Sequence, residues 1–302
     1  MSQLTVATGT PTPSAPATPA TPATPATPAA PAAPARSGSI GQAVRDVVVL
    51  TRRNLVHVAR EPLQLSDVTI QPVLFTLLFV YVLSGGVAVG GGDYKQFAIA
   101  GLISLNLTTA SIGTAVGLST DLGSGAVDRF RTLPIWRAAV LVGRSLSDLL
   151  SSLVCMSIVV LTGLAIGWRP HTSPARFVAA FAIPLLFAYA LAWATACLGM
   201  VSDGPESAQG IGLVVLFPLA FVSNAMVPAA GMPAAVRAIA EWNPVSAVTA
   251  AARDLFGNPN PSAAADAWPM QHPVVAAVLW SVGIVAVCAP LAVALYRRRT
   301  TD

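Results

Sequence analysis

Along most of this chain the apolar positions come in long unbroken blocks, separated by short stretches where Arg, Asp, Pro and Gly collect. A bilayer core of roughly 30 Å is crossed by about twenty helical residues. Six blocks reach that length: Thr69 to Val89, Phe97 to Ser119, Val140 to Ile166, Phe177 to Val201, Gly210 to Pro228 and Pro273 to Tyr296. The pattern predicts an all-α, polytopic membrane protein with six transmembrane helices over residues 67–302.

Ahead of the first block the texture is different. Val44, Val47, Val48, Leu55 and Val58 fall near one helical face while Arg45, Arg52, Arg53 and Arg60 crowd the other. Residues 41–66 are therefore expected to form an interfacial amphipathic helix, too interrupted to cross hydrocarbon and basic enough for anionic headgroups. Residues 1–40 hold nine prolines and an Ala-Thr-Pro repeat. Proline at every third position removes the amide donors that helices and sheets need, so a disordered tail of polyproline II character is expected there. No basic start followed by an apolar stretch occurs in it, and a signal peptide is not expected.

Composition supports the membrane reading: 54% of residues are hydrophobic and 10% charged, against roughly 25% charged in a soluble domain. The net charge of +4 is too small to favour a nucleic-acid partner. Its distribution says more. Counted by alternating loops, twelve bases fall on one side (Arg36, Arg45, Arg52, Arg53, Arg60, Arg129, Arg131, Arg137, Arg144, Arg297, Arg298, Arg299) and five on the other (Lys95, Arg169, Arg176, Arg237, Arg253). Both termini are then cytoplasmic and the spans sit in the plasma membrane, although the inner loop Ser202 to Gln209 carries no base. Cys155, Cys197 and Cys288 lie far apart inside apolar runs, which speaks against a disulfide scaffold, and His57, His171 and His272 occupy three separate regions, so no metal site is expected.

Two connections exceed what spacing requires. The inner one, Thr120 to Arg137, mixes bases with large apolar residues: Asp128, Arg129, Phe130, Arg131, Leu133, Pro134, Ile135 and Trp136. Such a mixture reads as a docking element for a partner, or else as a positive-inside anchor with interfacial aromatics. The outer one, Ala229 to Gln271, holds two short helical candidates, Ala234 to Trp242 and Val245 to Phe256, divided by Asn243-Pro244. At about 1.5 Å per residue neither can span. Short re-entrant helices between the fifth and sixth spans are the expectation, with a plain extracellular loop as the alternative.

Polar residues inside the blocks are few. Arg144 and Asp148 share a helical face at i, i+4 and are expected to neutralise each other as an intramembrane ion pair, structural in the first reading and a proton or cation site in the second. Asn106 and Asn224 are candidates for a substrate path, or for interhelical hydrogen bonds.

Three stretches carry a family resemblance. Gly125-x-x-Asp128-Arg129-Phe130-Arg131-Thr132-Leu133-Pro134 with Gly143-Arg144-x-x-x-Asp148, then Ser223-Asn224-Ala225-Met226-Val227-Pro228 with Met232-Pro233, Asn243-Pro244 and Arg253, and finally Glu61-Pro62 with Gln71-Pro72, Phe75, Leu78-Phe79 and Tyr81, resemble the daunorubicin-resistance kind of ABC-2 type permease. The resemblance implies a permease subunit exporting a hydrophobic or amphipathic compound, a drug or secondary metabolite. It also implies a second permease copy or paralogue completing a dimer, and a separate ABC ATPase subunit using ATP, with no cofactor bound by this chain. In that family the amphipathic helix is an interfacial elbow, Asp128 to Trp136 the coupling helix on the ATPase, and the outer pair an extracellular gate. The sequence agrees on one point: no G-x-x-x-x-G-K-[ST] loop occurs, and Leu83-Ser84-Gly85-Gly86, most of an ATPase signature, ends a span instead. Export of a lipid-linked glycan is the alternative within the same machine. A proton-coupled carrier would need an unpaired midplane acid and usually an internal repeat.

Overall fold

The computed structural model of the protein describes residues 62–86, 93–123 and 139–299, with scattered helical positions between 45 and 60. The Pro-rich tail, most of the amphipathic segment and the loop residues 124–138 lie outside the described residues. Every described element is a helix or a short 3-10 turn. In chain order the helices are α1 (Pro62–Leu83), α2 (Tyr94–Ala110), α3 (Ile112–Gly123), α4 (Ala139–Ala165), α5 (Pro174–Val201), α6 (Pro205–Phe221), α7 (Ala234–Trp242), α8 (Pro244–Phe256), α9 (Trp268–Gln271) and α10 (Pro273–Arg299).

Among the described residues four segments are long and apolar enough to cross a membrane: α2 and α3 together, α4, α5 and α10. The helices at the blocks expected over Thr69 to Val89 and Gly210 to Pro228 begin and end earlier than expected, and the apolar stretch of each is shorter. The apolar part of α1 is Val68–Leu83, and α6 has 17 residues. Each shortening has a local cause. Ser84 to Gly86 close α1 in a turn, with the Gly86 amide on the Leu83 carbonyl at 3.1 Å. At the other block, α6 starts earlier than the apolar run, at Pro205 in the first turn, and stops at Phe221 because a side chain from elsewhere takes its last carbonyls.

The outward faces of these helices are apolar, as hydrocarbon requires. Around α10, Leu279, Val282, Val287 and Leu291 are exposed while Ala276, Ala277, Ser281, Ala292 and Tyr296 are buried. In α6 the buried positions Ala208, Gly212, Leu216 and Ala220 recur every four residues, so the helix leans on its neighbours along one narrow stripe.

The outer connection divides as its sequence suggests. α7 ends at Trp242, and Asn243 caps α8, its side chain accepting from the Val245 amide at 2.8 Å with Pro244 in the first turn. α8 ends on Gly257 in the left-handed conformation, φ 68°, where the Asn258 amide reaches back to the Arg253 carbonyl at 3.0 Å. The two short helices differ in surroundings. α8 runs through the core against α2, α5 and α10, and Ala247, Ala250, Ala251 and Ala252 allow that close approach. α7 stays at the surface with only Ala240 buried, leaving Ile239 and Trp242 exposed.

Candidate functional site

The densest polar construction lies where α6 stops. Arg253, in the last turn of α8, is fully buried, and no carboxylate bridges it among the described residues. Its Nε donates to the Phe97 carbonyl at 3.1 Å, and its Nη2 to the carbonyls of Asn224 and Ala225 at 3.0 and 2.9 Å. The guanidinium carbon sits 3.6 Å from the centre of the Phe97 ring. Arginine keeps its charge in proteins, so carbonyl dipoles and a ring face replace water here. Asn243 completes the arrangement, donating to the carbonyls of Leu219 and Val222 at 2.7 and 2.6 Å. The last carbonyls of α6 and the strand of chain behind it are thus capped in trans by two side chains flanking α8.

Asn224 is held inside the same network. Its amide donates to Ser262 Oγ at 2.8 Å, its backbone N–H to Ser246 Oγ at 2.9 Å, and its side chain is fully buried. Tyr94 extends the network to the start of α2, its hydroxyl donating to the Met226 carbonyl at 3.1 Å. The close approach depends on Gly101 of α2, where a β-carbon would collide with the Ala225 carbonyl. Nearby, Trp168 Nε1 donates to Asn258 Oδ1 at 3.1 Å and ties the end of α4 to the end of α8.

A second polar cluster bridges α3 and α4, the helices on either side of residues 124–138. Arg144 Nη1 meets Asp121 Oδ2 at 2.9 Å, and Thr114 Oγ1 donates to Asp148 Oδ2 at 2.8 Å. Arg144 lies across Gly117, whose missing side chain leaves room for the guanidinium. Arg144 and Asp148 stand at i, i+4 on α4, and the Arg144 charge acts on the Asp148 carboxylate. The direct ion pair of Arg144 goes to Asp121 across the helix interface. The physical reason is that α3 continues to Gly123, beyond the expected span end at Ser119, which carries Asp121 two turns past Thr114 on the same face. Asp121 was hidden in the sequence by its position in what reads as loop.

The remaining expected residues are placed as follows. Asn106 is buried in α2 and donates back to the Leu102 carbonyl at 2.8 Å, so its amide is used within its own helix. Asn224 serves the capping network described above. Asp128, Arg129, Phe130, Arg131, Leu133, Pro134 and Trp136 lie outside the described residues. Arg253, counted among outer-loop bases and noticed only within a family block, is the central residue of the buried network. Its signal was the one base in a short helix whose other positions, Asp254 apart, are apolar or small.

Residues 45–256 match the family described as ABC-2 type transporter. The chain belongs to that family. As an ABC-2 family member it can be set beside curated relatives. It is 35% identical over 238 residues to the daunorubicin resistance ABC transporter permease protein DrrB1 of Streptomyces coeruleorubidus, covering 79% of this chain and 81% of that protein. It is 26% identical over 260 residues to the probable doxorubicin resistance ABC transporter permease protein DrrC of Mycobacterium tuberculosis, covering 85% and 90%. A putative transport permease, ycf38, of Porphyra purpurea is 25% identical over 226 residues, covering 72% and 76%. The cluster of Thr114, Asp121, Arg144 and Asp148 and, in the buried network, Tyr94, Phe97, Asn224, Asn243 and Arg253 fall inside the matched family region, while Ser262 and Asn258 lie just beyond it.

Proposed function

We propose that this ABC-2 family member is the permease half of an ATP-driven exporter that moves a hydrophobic or amphipathic drug out of the cell. The observation that carries the reading is the 35% identity with a daunorubicin resistance permease over four fifths of both chains. Hydrolysis belongs to a separate ABC ATPase, since this sequence has no phosphate-binding loop. A second copy or paralogue completes the pathway. The deciding experiment uses inside-out vesicles containing the chain and its cognate ATPase. ATP-dependent accumulation of daunorubicin is expected, and none without the ATPase. Accumulation driven by a proton gradient in the permease alone would overturn the proposal.

The topology proposed with it has six spans, α1, α2 with α3, α4, α5, α6 and α10, with both termini inside and α8 as a re-entrant helix. Support comes from the twelve-to-five division of bases and from the apolar outward faces of the helices. In this reading α7 lies in the outer interface, its exposed Ile239 and Trp242 toward lipid, and the α7 and α8 pair closes the extracellular end. In a cysteine-free background, Ala264→Cys is expected to label from outside intact cells and Ser207→Cys only after permeabilisation. External labelling of both would exclude six spans.

Residues Asp128 to Trp136 are proposed as the coupling element. Phe130, Leu133 and Trp136 recur at three-residue spacing, so a short helix presents them as one apolar ridge flanked by Arg129 and Arg131. Truncating a buried aromatic anchor commonly costs about 2 kcal/mol, roughly thirtyfold in affinity. Phe130→Ala is expected to lower co-purification of the ATPase by about that factor while the permease still reaches the membrane, and Arg129→Ala to do less. Full coupling in a Phe130→Ala, Leu133→Ala double variant would place docking elsewhere.

A further inference from the structure

The second span is built in two pieces that belong to different parts of the bundle. α2 packs mainly on α1, α4 and α8, with a lesser contact to α6 and α5, whereas α3 packs almost wholly on α5 and α6 and scarcely meets α4. The change of neighbours falls at Ser111, where the α-helical ladder is interrupted for one residue. The Ser111 amide still reaches the Leu107 carbonyl at 3.3 Å, but the next turn tightens, with the Thr114 amide on the Ser111 carbonyl at 3.1 Å. Such tightened turns inside a helix are a common form of hinge. Side chains loosen the ladder further: Thr108, Thr109 and Ser111 all donate to carbonyls one turn back, at 2.7, 3.0 and 2.6 Å, a pattern that bends helices.

Below the hinge, α3 is fixed firmly to one side. A β-carbon on Gly199 of α5 would collide with the Ala115 backbone, and one on Gly212 of α6 would lie 3.0 Å from Ile112. Contacts this close make α3 move with α5 and α6 as one packed unit. Toward α4 the attachment is of another kind. Among the described residues its main polar rungs are Thr114 to Asp148 and Asp121 to Arg144, with a longer bond from Arg144 Nη2 to the Gly113 carbonyl at 3.4 Å. Polar bonds of this type are made or broken without repacking a core, which suits a contact with two states.

We infer that Ser111 is a hinge and that the two rungs are a releasable clasp between the stems of the inner loop. Closed, the clasp holds α3 beside α4. Open, it lets the inner half, α3, swing with the inner ends of α5 and α6 while the outer half, α2, stays with α1, α4 and the Arg253 network. The position of the clasp matters because α3 and α4 are the two helices joined by residues 124–138. A partner that grips that loop acts directly on the separation of its stems. This last step rests on the exporter reading; the hinge and clasp themselves do not.

The test measures two distances by pulsed EPR, in labelled chain diluted into unlabelled permease. One pair, Thr120→Cys with Leu150→Cys, reports across the clasp, and the other, Lys95→Cys with Ala165→Cys, reports above the hinge. In the permease alone, Thr114→Val with Asp121→Asn is expected to lengthen the inner distance by about 5 Å, the scale of a helix sliding one turn, and to leave the outer one unchanged. The exchange Asp121→Arg with Arg144→Asp is expected to keep it at the wild-type value. In the complex with its ATPase, nucleotide trapping is expected to produce the same inner change in the wild type. An inner distance unmoved by loss of both rungs, or an outer distance that moves equally, overturns the hinge and clasp. An inner distance fixed through nucleotide trapping in a complex that transports overturns their use in the cycle. Absence of ATP-driven transport in the wild type, with the variant still splayed, would fell the exporter reading instead.

Discussion

Arg253→Met is expected to remove most of the folded protein. The substitution keeps volume and apolar bulk but deletes the donors that serve the carbonyls of Phe97, Asn224 and Ala225. A buried acceptor stripped of its partner costs about 1–3 kcal/mol. Against three such losses stands the relief of no longer burying a cation without a carboxylate, so the net effect is about 3–5 kcal/mol, the range found when one side of a buried charge network is removed. Arg253→Lys retains the charge, but its single nitrogen cannot replace a fork that reaches α2 and the end of α6 together. It is expected to fall between wild type and Met. Monodisperse yield and unfolding midpoint in detergent measure the series. A wild-type midpoint for Arg253→Met would mean that the three carbonyls find other donors and that the arginine is there for something other than stability.

What the sequence made legible follows from which forces act locally. The blocks that became α4, α5 and α10 were plain because each is long, apolar and bounded by Pro, Gly or Arg, and hydrocarbon imposes that pattern residue by residue. The division of the outer connection at Asn243-Pro244 was equally readable, since a proline cannot continue a helix but starts one well. The length of α6 was not. Nothing between Gly210 and Pro228 announces a stop at Phe221, because the group that caps it, Asn243, arrives from more than twenty residues away. The same distance dependence hid the second acid beside Arg144. Periodicity finds neighbours on one helix, and Asp148 was the neighbour it found. Asp121 comes from the preceding helix, and only the tertiary arrangement that sets the end of α3 beside α4 brings it within 2.9 Å. Tertiary polar contacts leave little trace in a single sequence, and in this family member they make up both clusters.

Gly101→Ala should be strongly damaging, though less so than the loss of Arg253, and for a reason that can be separated from it. The added methyl would collide with the Ala225 carbonyl, which is backbone and cannot swing aside as a side chain would. Overfilling a packed site costs about 1–3 kcal/mol, and a rigid obstacle places the cost at the upper end. The gain of about 0.8–1 kcal/mol from replacing glycine by alanine in a helix offsets only part of it. Two comparisons bracket the effect. Gly163→Ala meets the flexible Ile99 side chain at 3.0 Å and is expected to cost little. Gly283→Ala meets nothing within 4 Å and is expected to stabilise slightly. Because Gly101 and Arg253 act on the same Ala225 carbonyl, their substitutions should not add: once Gly101→Ala has pushed that carbonyl away, one of the bonds lost with Arg253 is already broken. A double-mutant cycle on unfolding midpoints is expected to show a combined loss smaller than the sum by about 1 kcal/mol, one hydrogen bond counted twice. Strict additivity would show that the glycine and the arginine stabilise the end of α6 independently.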